Sequence, residues 1–168
     1  MKGVIFVPSV PDSSWARVLL PTLSPAELPV AGRRLLDYNI ESARNKDFEM
    51  VEILDWSYSK RIESDFSDLT SFSIPVFYNR GEGDLPMGLN DIEKQSSPLT
   101  QNLDDGISVI WGLCIADILG GPIRLEEVSF EARARPPMGF YRHIDGKWMR
   151  MVRHGMVVRN TRDWHRVN

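Results

Sequence analysis

The histidines His143, His154 and His165 all fall in the final 26 residues and are the first candidates for metal or proton chemistry. Their spacing of eleven each time fits no zinc-ligand pattern, so they are expected on a hairpin, facing solvent or hydrogen-bonded. Cys114 is the single cysteine, which excludes an internal disulfide framework and a cysteine-based zinc site, and suits a reducing cytoplasm. No serine stands in a nucleophile-elbow context, so no Ser-His-Asp constellation can be argued. Arg80-Gly81-Glu82-Gly83-Asp84 carries glycines but not the lysine or spacing of a phosphate loop, and reads as a surface loop. Arg133, Arg135, Arg142, Arg150, Arg153 and Arg159 mix with Tyr141 and Trp148. Strand alternation would put about half of these on one face, able to hold an anion. No aromatic-rich strand motif accompanies them, so nucleic acid is not expected as a partner.

Those residues must be positioned by elements, and the chain signals several. A length of 168 residues, with 42% hydrophobic and 26% charged, is that of one globular domain with a sizeable core. No apolar run approaches the roughly 20 residues of a membrane span, and the apolar start at Val4 to Val7 is too short for a signal peptide. A cytoplasmic location is the expectation. Residues 3–7 predict a buried first strand, 50–54 and 74–78 two more, and 107–111 a fourth. Residues 34–43 predict a helix after a turn at Ala31-Gly32, and 58–66 a short amphipathic one. The stretch 8–31, with five of the eleven prolines, predicts a long ordered loop without an element of its own. Alternation over 126–132 and an Asp145-Gly146 hairpin within 140–151 predict a β-rich end, followed by a short strand at 156–159. Thr161 is the expected cap of a last helix over 161–168.

Strands alternating with helices predict an α/β, Rossmann-like, mostly parallel sheet with helices on both faces and a β-rich C-terminal hairpin segment. Ligands of such sheets gather at the carboxyl ends of the strands, beneath the 8–31 loop. One domain is expected over 1–168, with a core over 1–120 and a basic β-rich appendage over 121–168. Residues 1–120 hold 10 Lys+Arg against 18 Asp+Glu, and 121–168 hold 10 against 5. The basic part is either an anion-binding surface or the solvated face of a segment docked on the acidic part.

Leu28-Pro29-Val30-Ala31-Gly32-Arg33-Arg34-Leu35-Leu36 resembles the L-P-V-x-G-K-P-L segment of the sugar nucleotidyltransferases, which make nucleotide sugars from an NTP and a sugar 1-phosphate. Its distance from Met1 fits that family's layout, and Ile107-Ser108-Val109-Ile110-Trp111-Gly112 looks like the family's apolar strand before a metal-binding aspartate. Asp163-Trp164-His165-Arg166-Val167-Asn168 is similar to a family ending that runs on into a further domain, which would make this chain a domain excised from, or evolved out of, something longer. The resemblance implies a pocket of Ser9, Arg17, Glu27, Gly88, Trp111 and Asp117. Gly88 would belong to the remnant of a base-contacting loop, and Trp111 would either stack on a base or sugar or fill vacant space.

The departures from that pattern carry the functional expectation. Where the family has its glycine-rich phosphate loop, this chain has Pro8-Ser9-Val10-Pro11-Asp12-Ser13-Ser14-Trp15-Ala16-Arg17. Prolines lack the N–H groups that cradle phosphate, and valine and tryptophan crowd it. The family's lysine falls at Pro25 and its metal aspartate at Leu113, and leucine cannot ligate Mg²⁺. Each such loss costs roughly 10²–10³ in rate. The expectation is a degenerate, non-catalytic domain without a cofactor, binding a nucleotide, a sugar nucleotide or a partner protein in polysaccharide synthesis. One alternative is an active divergent enzyme with Mg²⁺, using Arg17, Glu27 and Asp117. The other is a pure interaction or homo-oligomerisation module whose old pocket is filled by Trp15 and Trp111.

Overall fold

The structure is a computed structural model that describes residues 2–66, 73–101, 103, 106–116, 124–152 and 155–168. In chain order the described strands are β1 (Gly3–Val7), β2 (Pro29–Val30), β3 (Arg33–Arg34), β4 (Met50–Asp55), β5 (Val76–Arg80) and β6 (Ile107–Trp111). They continue with β7 (Cys114–Ile115), β8 (Arg124–Glu127), β9 (Gly139–Ile144), β10 (Lys147–Val152) and β11 (Met156–Val157). The described helices are α1 (Ser14–Leu19), α2 (Leu35–Asn45), α3 (Lys60–Phe66), α4 (Leu89–Glu93), α5 (Pro98–Gln101), α6 (Phe130–Ala134) and α7 (Thr161–Val167).

The main sheet has seven strands in the order β5-β4-β1-β6-β9-β10-β8. Its first four run parallel, with Val4 opposite Val51 and Ser108, and Val51 opposite Val76. Every residue of β1, β4 and β6 is buried, as continuous apolar runs in a parallel sheet require. β9 then joins β6 antiparallel and turns through Asp145-Gly146 into β10. Asp145 and Gly146 both take positive φ, 50° and 74°, the geometry of a two-residue primed turn. The C-terminal segment is therefore built into the same sheet.

Neighbouring residues of β1 show the layering, because successive side chains of a strand face opposite ways. Val4 shares a small cavity with Asn39 and Ala43 of α2. Gly3 lies so close to α5 that a Cβ there would come within 2.8 Å of Leu99. Helices thus cover both faces, and the fold is α/β. No described helix is long and apolar enough to cross a membrane.

The expected elements appear with shifted ends, and some expectations are corrected. Residues 8–31 are not a structureless loop. Pro11 and Pro25 each open a 3-10 turn, α1 lies between them, and β2 closes the stretch. Proline suits a first helical position because its missing N–H has no partner there anyway. The alternation read over 126–132 breaks after β8, because Ser129 caps α6 by accepting from the Ala132 N–H at 3.2 Å. Helix α7 is capped by Asn160, whose Oδ1 accepts from the Asp163 N–H at 2.9 Å, and not by Thr161.

Candidate functional site

The chain leaves β1 for β4 and β5 on one side and returns to β6 on the other, so the strand order reverses between β1 and β6. Open α/β sheets bind ligands outside the carboxyl ends of strands at such a point. Here that position is occupied by the protein itself. Gly112 follows β6 with φ +88°, and a Cβ on it would stand 2.5 Å from Met138 and 3.0 Å from Val10. Val10 and Leu113 are wholly buried, and Met138 nearly so. The Gly112 N–H donates to Val7 O at 2.8 Å, and the Leu113 N–H points at the Met138 sulfur at 3.4 Å. A strap closes over this plug. β11 pairs with β7, and the Val158 N–H donates to Leu113 O at 2.8 Å.

On the other side of β1 the carboxyl edge is sealed by polar groups. Asp55, the last residue of β4, is fully buried. Its Oδ1 accepts from the Ser57 N–H at 2.8 Å and, at a long 3.5 Å, from Ser9 Oγ. Its Oδ2 meets the Tyr78 hydroxyl at 2.7 Å and the Ser24 hydroxyl. Burial pushes the Asp55 carboxyl above the usual carboxylate range, against the hydrogen bonds that favour its charged form. Serine and tyrosine hydroxyls can donate or accept, so they serve either protonation state. The Tyr78 hydroxyl also accepts from the Ser59 N–H at 2.8 Å, and its ring stacks on Tyr58 with centroids 4.7 Å apart. Arg80 lies over the Tyr58 ring at 4.5 Å. The result is a locked stack at the ends of β4 and β5.

On the opposite face of β4 lies a second buried acid. Glu52 is fully buried, accepting from Asn79 Nδ2 at 3.2 Å and from the Ser97 hydroxyl that caps α5. Desolvation raises its pKa as well.

The residues expected to form one pocket are placed differently. Ser9 is wholly buried, with its hydroxyl 3.3 Å from Ser57 Oγ. Glu27 receives the Ser24 N–H at 2.9 Å and faces Arg61 at 3.5 Å, beside an open groove of about 500 Å³ shared with Arg34, Lys60, Ser64 and Asp65. Arg17 is half-buried on α1. Gly88 is the N-cap of α4, and a Cβ there would sit 2.3 Å from Arg133 O. It serves close packing of α4 on α6. Trp111 is 1% exposed, which leaves no ring face for a ligand. It fills the core. Asp117 lies outside the described residues, as do Arg153 and His154. His143 packs edge-on to Trp148 with centroids 5.1 Å apart, and His165 stacks on Trp164. Trp15 is half-buried and packs against the core, with Trp164 at 6.4 Å.

Sequence reasoning missed Asp55, Ser24, Ser57, Tyr78 and Glu52. The available signal was an acid inside, and another just beyond, the apolar run of 50–54, where an acid needs a partner to be tolerated.

No protein-family model matches the sequence, and no curated protein sequence matches it. Among solved structures, UDP-glucose pyrophosphorylase complexed with UDP-glucose aligns with TM-score 0.49 and 17% identity, over 77% of this chain and 59% of that one. Apo UDP-glucose pyrophosphorylase aligns with TM-score 0.49 and 14% identity, over 90% of this chain and 77% of that one. The chain thus spans less than two thirds of the first of these structures, and the likeness is one of fold.

Proposed function

We propose that this chain is a non-catalytic interaction domain built on a sugar-nucleotidyltransferase-like fold whose ligand crevice is filled by its own side chains. The observation that carries the reading is the plug of Val10, Leu113 and Met138 around Gly112 at the switch point between β1 and β6. A phosphate cradle needs backbone N–H groups free to approach the ligand. Here the Leu113 N–H is turned onto the Met138 sulfur, and the Val10 N–H donates to Ser13 Oγ at 2.9 Å. The neighbouring Ser9 hydroxyl is spent on Ser57 and Asp55. The setting carried by the Leu28–Gly32 resemblance is polysaccharide synthesis, with a protein as the binding partner.

The test is calorimetric titration with UTP, UDP-glucose and glucose 1-phosphate, with and without Mg²⁺, together with an assay for pyrophosphate release. No heat of binding and no pyrophosphate is the expected result. Saturable, Mg²⁺-dependent UTP binding with turnover would establish the active-enzyme reading instead.

A further inference from the structure

A cavity of about 50 Å³ lies between α2 and the sheet, apart from the filled crevice. Val4 and Ser108 in its wall are the second residues of β1 and β6, whereas the plug begins past the far ends of those strands, at Gly112. Small residues leave the space. Ser42 and Ala43 on α2, and Ala116 just after β7, stand where larger side chains would close it. The rest of the wall is mostly apolar, with Phe48, Ile110, Phe140 and Met151 among its members. The charged residues lining it, Lys46 and Arg142, are both cations, and among the described residues no acid joins them.

The polar groups in the wall differ in what they already hold. Asn39 is spent, because its Nδ2 donates to Cys114 O at 2.9 Å and its Oδ1 accepts from the Ala116 N–H at 3.0 Å. Ser42 is 2% exposed, and its hydroxyl has no hydrogen-bond partner among the described residues. A buried hydroxyl without a partner costs free energy, so it favours a guest that can accept from it. Arg142 is half-buried on β9, and its Nε donates to Ser108 Oγ at a long 3.4 Å. Among the described residues no carboxylate pairs with that guanidinium. Its two terminal amino groups are left for a planar acceptor, the geometry that suits a carboxylate.

Size and lining choose the guest. A group the size of water needs about 10–15 Å³ of such space, so the cavity holds about four of them. Methylene and methyl groups are close to water in size, so an alkyl tail of three or four carbons fills it. A small hydrated anion gains nothing from an apolar wall. An alkane leaves Ser42 and Arg142 unused.

From these observations we propose that the cavity is a binding site for a short straight-chain carboxylate. The tail lies between α2 and the sheet, and the carboxylate is held by the Arg142 guanidinium and the Ser42 hydroxyl, which line the same small space. An occupant ties α2 to β9. The site is separate from the filled crevice and does not depend on the proposed interaction role.

The experiment is a titration of the isotope-labelled full chain with butyrate, read by amide NMR shifts. Acetate, hexanoate and n-butylamine are run beside it, together with the Arg142→Gln variant. The expected result is saturable millimolar binding of butyrate that moves the amides of Ser42, Ala43 and Ser108. Each buried methylene is worth about fourfold in affinity, so acetate should bind at least about tenfold more weakly. Hexanoate should gain nothing over butyrate, because its tail outruns the cavity. n-Butylamine should not bind, and Arg142→Gln should weaken butyrate at least about tenfold. Three results overturn the site: no saturable shift with butyrate at tens of millimolar, acetate binding as well as butyrate, or n-butylamine binding equally. Should Arg142→Gln not fold, the comparison of acid with amine on the wild-type chain decides. Failure here leaves the filled-crevice reading intact, since that reading falls only on nucleotide binding.

Discussion

Replacing Asp55 by alanine removes the acceptor at the centre of the carboxyl-edge cluster, and its cost follows from who loses a partner. The Ser57 N–H donates to Asp55 Oδ1 at 2.8 Å, and the Tyr78 and Ser24 hydroxyls both meet Oδ2. Ser24 keeps a second bond, accepting from the Ala26 N–H at 3.1 Å, and Ser9 keeps Ser57 Oγ. The Tyr78 hydroxyl still accepts from the Ser59 N–H, so the net loss is about one buried group left unsatisfied, the Ser57 N–H, worth about 1–3 kcal/mol. For a domain of this size that lowers Tm by about 2–12 °C. Asp55→Asn gives the sharper comparison. Its carbonyl retains the Ser57 N–H, and its amide can donate to the Ser24 and Tyr78 hydroxyls, which turn to accept. It should cost less than half as much as alanine. Thermal unfolding followed by circular dichroism, with urea titration for the free energy, measures both. An alanine variant within about 0.5 kcal/mol of wild type, or an asparagine variant as damaged as alanine, would refute the view that Asp55 ties these segments together.

Glu52 makes a pH prediction. Its pKa is raised in the folded state by burial, so the folded chain holds the proton more tightly than the unfolded one. The stability this contributes is complete below the ordinary glutamate pKa of about 4.3 and is lost as pH rises through the folded value. Glu52→Gln lacks that slope, so urea titrations should show the variant gaining on wild type from acid toward neutral pH. A gap that is flat or closes in the opposite direction contradicts it. Gly112→Ala must hold a positive φ of +88° and push its methyl against Met138 and Val10. Strain and overpacking together predict a loss of about 2–4 kcal/mol by urea titration, and a neutral outcome would mean the plug is loose.

The fold was legible where local chemistry decides. Apart from Ser108, Ile107–Trp111 is a run of β-branched and aromatic residues, and its bounds match β6. Asp145-Gly146 can take two positive φ values, and the hairpin turns there. The stretch 8–31 hides its elements because five prolines and little periodicity look like a loop, whereas Pro11 and Pro25 stand at first positions of 3-10 turns. α4 and α5 are only five and four residues long, too short for a 3.6-residue period to show. That Pro8 to Trp15 holds no glycine and two prolines was readable at once, because missing N–H groups are a local property. The contacts around this stretch were not. Met138 reaches the Leu113 N–H from 25 residues away, and Ser24 and Tyr78 reach Asp55 from 31 and 23. Such partners are set by the sheet order, which local sequence patterns do not encode.

The same logic settles the charge asymmetry between the acidic first 120 residues and the basic remainder. A basic segment hung outside the core could have gathered its arginines into one anion-binding stripe. This segment enters the sheet, β9 against β6 and β10 against β9, so alternation divides its charges between the faces. Arg142 stands opposite Ser108, with its Nε 3.4 Å from Ser108 Oγ, on the face that carries α2. Arg150 stands opposite Tyr141, the neighbour of Arg142, and so belongs to the other face. At the outer edge Arg124 and Lys147 pair with Glu126 and Glu127 at 3.1 and 3.6 Å. Charged side chains on an edge strand discourage pairing with another sheet, so β8 is a poor place for a second copy to add. Exposed apolar side chains are divided as well: among the described residues Val18 and Leu19 lie on α1 and Phe130 on α6, so neither charge nor apolar exposure gathers on a single face.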